Sequence, residues 1–214
     1  MGRMKVLIAC EESQTVCKEF RKKGHDAYSC DIQDCSGGYP EWHIQGDAIE
    51  VAYNNHWDLM IGHPPCTYLS YAGIRWFNVD RYGEKAKERH AKKDDAIKFF
   101  LKLYNAPINK ICLENPRGFI QKVIPYSQAI QPYYFGDSFS KKTLLWLKNL
   151  PFLLHSETKT LFEEKTHVWK GEMGNNGGVW MNTSKVIGLP KEERSKIRSK
   201  TFLGIAKAMA EQWG

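Results

Sequence analysis

The stretch Asp58-Leu59-Met60-Ile61-Gly62-His63-Pro64-Pro65-Cys66-Thr67-Tyr68-Leu69-Ser70 sets the reading of the whole chain. An apolar run stops at Gly62-His63, two prolines stiffen the backbone, and a thiol follows. A buried strand that ends this way presents Cys66 just past its carboxyl end, where open α/β sheets bind their ligands. A thiol held on such a turn is a candidate nucleophile. Most lone cysteines are small buried hydrophobes instead, so the neighbouring strands decide between the two.

Upstream, Lys5 to Cys10 reads as a first strand, followed by the polar loop Glu11-Glu12-Ser13-Gln14. Thr15 to Lys23 carries Val16, Cys17 and Phe20 near helical spacing and stops at Gly24, a helix-ending residue. His25 to Ile32 is a second strand with Asp31 near its end. This β-loop-α-β unit opens a parallel sheet. After the turn Gly37-Gly38-Tyr39-Pro40, His43 to Asp47 is a third strand with an acid at its tip. Ala48 to Asn55 is a short helix, and Trp57 to Ile61 is the fourth strand. Asp31, Asp47 and Cys66 thereby converge on one rim.

Downstream, Thr67 to Arg81 is aromatic and irregular, and reads as a mobile loop over that rim. Glu84 to Leu103 is a helix with a buried face of Ala96, Ile97, Phe99, Phe100 and Leu103. Its other end, with Lys85, Lys87, Arg89, Lys92 and Lys93, reads as solvated. Ile108 to Leu113 is a fifth strand, ending in Glu114-Asn115-Pro116. Lys141 to Leu147 is a further strand, and Phe202 to Trp213 an amphipathic helix.

Composition narrows the classes. With 214 residues and 42% hydrophobic content, one sizeable core with an appendage is expected. No apolar run reaches about 18 residues, so no transmembrane helix is expected, and the N-terminal apolar run is too short for a signal peptide. A formal charge of +7 favours a polyanionic partner. The six cysteines show no CxxC spacing, which argues against zinc and for reduced thiols in a cytoplasmic protein. Gly174-Asn175-Asn176-Gly177-Gly178 reads as a flexible loop. Lys191, Arg194, Lys196, Arg198 and Lys200, with Trp169 and Trp180, suit a phosphate backbone.

Taken in order, these groups resemble the DNA (cytosine-5) methyltransferases, and more closely the short methyltransferase-like proteins of phage genomes. Gly62-His63-Pro64-Pro65-Cys66 resembles the family's Pro-Pro-Cys nucleophile motif, and Glu114-Asn115-Pro116 its Glu-Asn-Val. Ser29-Cys30-Asp31-Ile32 stands at the ribose-binding acid, and Gln45-Gly46-Asp47-Ala48 at the adenine-binding acid. Cys10-Glu11-Glu12-Ser13 occupies the place of the glycine-rich first cofactor loop, and Lys141-Lys142 that of a basic pair near the target base. The resemblance implies a Rossmann-like α/β fold dependent on S-adenosylmethionine, with a mostly parallel, doubly wound sheet and a small C-terminal insertion. It divides the chain into a core over 1–150, a basic and aromatic insertion over 151–200, and a helix over 201–214 that packs back on the cofactor site.

The implied roles follow residue by residue. Cys66 and Glu114 are catalytic. Cys10, Glu11, Glu12, Ser13, Asp31, Ile32, Asp47, Ala48 and Pro64 hold the donor. Pro65, Asn115, Lys141 and Lys142 hold the substrate. A thiolate adding at carbon 6 of cytosine makes carbon 5 enamine-like. Glu114, protonated or sharing a proton, its carboxyl raised by burial in a closed pocket, hydrogen-bonds ring nitrogen 3. The expected partner is DNA with a flipped or single-stranded cytosine, with no metal and no membrane. Two other readings stay open: an amino-group methyltransferase of adenine N6 or cytosine N4, which Cys66 argues against, and a non-catalytic nucleic-acid-binding protein on the same scaffold.

Overall fold

The computed structural model describes residues 2–137, 140–155, 190 and 200–214. The Gly174–Gly178 loop, Trp169, Trp180 and the basic run from Lys191 to Arg198 lie outside the described residues.

The first strand, β1 (Lys5–Ala9), lies inside the sheet, and its alternation explains the layers. Val6 and Ile8 pack with α1 (Thr15–Lys22) and the C-terminal helix α5 (Leu203–Trp213). Leu7 and Ala9 pack with α2 (Ala48–Asn54) and the long helix α4 (Glu84–Tyr104). All four side chains are fully buried, as expected of a strand covered on both faces. The other strands are β2 (Asp26–Asp31), β3 (His43–Gln45), β4 (Leu59–Gly62), β5 (Lys110–Pro116), β6 (Gln128–Ile130) and β7 (Thr143–Lys148).

The strand order is β3-β2-β1-β4-β5-β7-β6. From β1 the chain winds outward through β2 and β3, then returns to lay β4 on the other side of β1. The reversal puts a topological switch point between β1 and β4, and the crevice outside their carboxyl ends is the natural ligand site. Pairings among β3, β2, β1, β4 and β5 are parallel, while β7 runs antiparallel to both β5 and β6. The sheet is therefore mixed. Parallel pairing needs a crossover, usually an α-helix. Between β5 and β7 the described chain has β6 and the 3-10 turns Phe119–Lys122 and Pro132–Phe135, and no α-helix. The three-residue β6 is too short to show as a pattern in the sequence.

Two expectations change in detail. Thr67 to Arg81 is not an irregular loop: it forms a 3-10 segment, Tyr71–Phe77, and the short helix α3 (Val79–Tyr82). Leu69 and Phe77 are buried, and the Phe119 ring meets Tyr71 at 5.2 Å and Phe77 at 5.0 Å. On α4, Phe100 and Leu103 are buried with Ala86, while Ala96, Ile97 and Phe99 are half-buried. The helix α5 packs along α1, and Trp213 donates its indole N–H to the Pro151 carbonyl at 3.1 Å. At the rim, Lys200 to Phe202 and the helix residues Ile205 and Met209 line a crevice beside Glu114.

Candidate active site

The loop leaving β1 makes a glycine-style turn without glycine. Cys10 and Gln14 both take positive φ, 60° and 56°, a region that costs an L-residue roughly 1–2 kcal/mol. The surroundings hold them there. Glu11 caps α1 by accepting from the backbone N–H of Val16 at 2.7 Å and of Cys17 at 3.2 Å. The Glu12 carboxylate accepts from the Ser36 hydroxyl. Gln14, fully buried, grips the Tyr39 backbone at both its carbonyl and its N–H. Gly37 lies so close to Gln14 that a Cβ there would collide with it. The Ser13 hydroxyl meets that of Thr15 at 3.2 Å. Both acids of this loop are thus engaged inside the protein, and burial raises the Glu11 carboxyl above its usual range despite His63 and the capped amides.

Asp31 and Asp47 stand at neighbouring strand ends. One Asp31 oxygen closes a turn on the Gln33 amide at 2.9 Å, and one Asp47 oxygen caps α2 at the Ile49 amide at 2.8 Å. The thiol of Cys10 is pushed well up, by burial first and then by Asp31, Cys30 and Asp47, so these groups share one electrostatic neighbourhood. Beside them Ile32 is 77% exposed, an unusual position for a large apolar side chain at a crevice. Ala48, the first residue of α2, is buried.

At the end of β4 the Pro-Pro turn is held from β5. Asn115, 1% exposed, donates its side-chain amide to the Pro64 carbonyl at 2.7 Å. It is a positioning residue for the turn rather than a surface open to substrate. Pro64 is buried, Pro65 exposed, and Cys66 exposed. The Cys66 carbonyl accepts from the amides of Leu69 at 3.1 Å and Ser70 at 2.8 Å, which closes the turn behind the thiol. The loops after β4 and β5 are then zipped together: Phe119 donates to the Leu69 carbonyl at 2.7 Å, and Ser70 bridges Gly118. A Cβ on Gly118 would strike that carbonyl.

Glu114 emerges beside this turn. Its Oε2 lies 3.2 Å from Nδ1 of His63. Burial pushes its carboxyl up, but the His63 hydrogen bond, the Lys141 ammonium, the charge of His63 and the Thr143 hydroxyl outweigh burial and hold it below the usual range. The direction is opposite to the rise that burial alone predicts for Glu114. The basic pair divides, with Lys141 half-buried toward Glu114 and Lys142 exposed. Glu114, Lys141 and Thr143 share a crevice with Lys200, Thr201 and Phe202, whose free volume of about 10 Å³ admits at most one water.

His63 is the residue that the motif reading passed over. Its Nε2 is buried without a hydrogen-bond partner among the described residues, while Nδ1 faces Glu114 and, at 3.5 Å, the Thr201 hydroxyl. A histidine at the end of an apolar strand was the available signal. Among the described residues no cluster of His, Cys, Asp and Glu is arranged to hold a metal, and no helix is long and apolar enough to cross a membrane.

No protein-family model matches the chain, and no curated protein matches it. Among solved structures, the chain is similar to an E. coli protein described as a "putative DNA modification methyltransferase encoded within prophage Cp". The identity is 12% and the TM-score 0.38, over 67% of this chain and 46% of that one. The chain thus spans less than half of that protein's length.

Proposed function

We propose that this protein transfers a methyl group from S-adenosylmethionine to carbon 5 of cytosine in DNA, through a covalent adduct on Cys66. The observation that carries the reading is the pairing of two strand ends beside a switch point. Asn115 holds the turn that presents Cys66, and the adjacent Glu114 faces His63 from the same turn.

The rim residues suit the donor. Asp31 and Asp47 would hold its ribose hydroxyls and adenine amino group, and the exposed Ile32 offers an apolar surface for the adenine to cover. When bound, S-adenosylmethionine supplies an electrophilic methyl group. The protein's part is to make carbon 5 receptive. Cys66 adds to carbon 6, and carbon 5 becomes nucleophilic and is methylated. Water at the exposed Cys66 turn then takes the carbon 5 proton, and the electron pair left behind expels the Cys66 thiolate and restores the ring. Addition builds charge on ring nitrogen 3. Glu114, taking up a proton from water as the base enters, donates it in a hydrogen bond to that nitrogen. In its ionised state Glu114 accepts from the cytosine amino group. Lys141 keeps the carboxylate from being neutralised prematurely. The crevice beside Glu114 is too small for a base as it stands, so a base that enters it displaces some of its lining residues Lys200, Thr201, Phe202, Ile205 and Met209.

The test is nucleoside mass spectrometry of DNA incubated with the protein and isotopically labelled S-adenosylmethionine. Labelled 5-methylcytosine is expected. Label in N4-methylcytosine or N6-methyladenine would replace this reading with amino-group methylation.

A further inference from the structure

A pocket of about 450 Å³ opens between the Tyr71–Phe77 segment and the first half of α4, on the far side of the turn that carries Cys66. This volume lies within the range of ligand-binding pockets. Its wall on α4 is formed by Lys85, Glu88, Arg89 and Lys92. These positions recur at helical spacing, so one stripe of the helix faces the pocket. Lys85, Lys87 and Lys92 are exposed, as the sequence predicts for this helix end, and Arg89 is half-buried. The opposite wall is aromatic: Tyr68, Trp76 and Tyr82.

We propose that this pocket binds one nucleotide of a single strand, next to the cytosine presented to Cys66. The inference rests on the reading of Cys66 as acting on nucleic acid, and it adds the form of the substrate. Trp76 is 43% exposed and lies 4.9 Å from the Tyr82 ring, so the two make an open aromatic ledge. Cations surround the rings: Arg89 lies 5.0 Å from the Tyr68 ring, and Arg75 lies 4.7 Å from that of Trp76. Aromatic faces that take bases beside cations that take phosphates are the usual equipment for single-stranded nucleic acid. A base within a duplex is stacked on its neighbours and cannot offer its face to Trp76. Glu88 is an acceptor placed to receive a base amino group.

The pocket is also tied to the proposed reaction centre. Tyr68 belongs to the turn closed by the Cys66 carbonyl. Arg89 donates to the Thr67 carbonyl at 3.0 Å, and its Nε is buried with no hydrogen-bond partner among the described residues. A strand whose base occupies the pocket therefore continues toward Cys66.

The test is fluorescence anisotropy at low salt with a labelled 12-nucleotide single strand, the matching duplex, and free dCMP as competitor. The proteins are the wild type, Trp76→Ala, Lys92→Gln and, as a control off the pocket stripe, Lys87→Gln. Trp76→Ala should weaken single-strand binding roughly 5- to 150-fold, the value of one stacked base. Lys92→Gln should lower the salt slope by about 0.7, one phosphate contact. Lys92 is exposed on a long helix, so this variant stands even if Trp76→Ala fails to fold. Unchanged single-strand binding in a folded Trp76→Ala together with Lys92→Gln would overturn the pocket and leave the DNA reading intact. Equal losses for duplex would overturn the single strand. Displacement by dCMP at strand-like concentrations would assign the pocket to a free nucleotide and overturn the strand. If neither DNA form binds, the nucleic-acid reading itself fails and the pocket with it.

Discussion

Replacing Asn115 tests whether one hydrogen bond fixes the turn that carries Cys66. The side-chain amide donates to the buried Pro64 carbonyl at 2.7 Å, and no water can easily replace it. Asn115→Ala leaves that carbonyl buried and unpaired, at a cost of about 1–3 kcal/mol. The substitution also removes Oδ1, itself buried without a partner among the described residues, and this offsets part of the loss. The expected net is the lower half of the range, about 1–2 kcal/mol. At 2–4 °C per kcal/mol for a chain of this size, the melting temperature falls by about 2–8 °C. Asn115→Asp keeps the shape but exchanges the donor for a buried acid facing a carbonyl oxygen, so its loss should be larger, about 3 kcal/mol or more. Urea unfolding followed by tryptophan fluorescence measures both. If Asp is tolerated as well as Asn and Ala costs under about 0.5 kcal/mol, the bond to Pro64 does not hold the turn.

Other consequences are as direct. Among the described residues Cys66 is the one exposed cysteine; Cys35 is half-buried, and Cys10, Cys17, Cys30 and Cys112 have thiols pushed up by burial. Stopped-flow reaction with a chromogenic disulfide at pH 8 should therefore show a single fast thiol, absent in Cys66→Ser; a fast phase that survives would place the reactive thiol elsewhere. Gly118→Ala should destabilise by about 1–3 kcal/mol, because a methyl group there meets the Leu69 carbonyl; a stability equal to wild type would mean that the two loops are not zipped. Lys141→Met should raise the Glu114 carboxyl, and Lys142→Met should not. The sign follows from the depressed value: Glu114 stabilises the fold above the unfolded carboxylate pKa of about 4.3, and that contribution is lost as pH falls through its lower folded value. In Lys141→Met the loss should begin at higher pH, as read by carboxyl-carbon NMR titration and acid unfolding. Equal Glu114 titration in the two variants would remove Lys141 from the site.

Strands β1, β4 and β5 were legible as short apolar runs stopped by a polar or turn residue, as at Gly62-His63, and β2 and β3 by the acids at or just past their ends, Asp31 and Asp47. The periodicity of Val16, Cys17 and Phe20 likewise gave α1 to within a residue. What failed had local causes. β6 has three residues, too few for any period, and the direction of β7 depends on a missing crossover helix that no single residue announces. The rim was legible as strand-end acids and a thiol, but the partners of those acids were not. Glu11 and Asp47 cap helices, and Asn115 reaches back to Pro64; such contacts join distant parts of the chain. The downward shift of Glu114 was not legible, because burial alone predicts a rise and the sequence does not place His63 and Lys141 beside it. The stripe of α4 facing the aromatic pocket was hidden because charge on a helix usually means solvent.

The central claim is that Cys66 forms a bond to the base it acts on. Denaturing electrophoresis of the protein incubated with S-adenosylmethionine and single-stranded DNA containing 5-fluorocytosine measures it directly, since fluorine at carbon 5 blocks the elimination that frees the enzyme. A shifted, denaturation-resistant band with wild type and none with Cys66→Ser is the predicted result. Methyl transfer to cytosine carbon 5 by Cys66→Ser at the wild-type rate, without a trapped band in either protein, would contradict it.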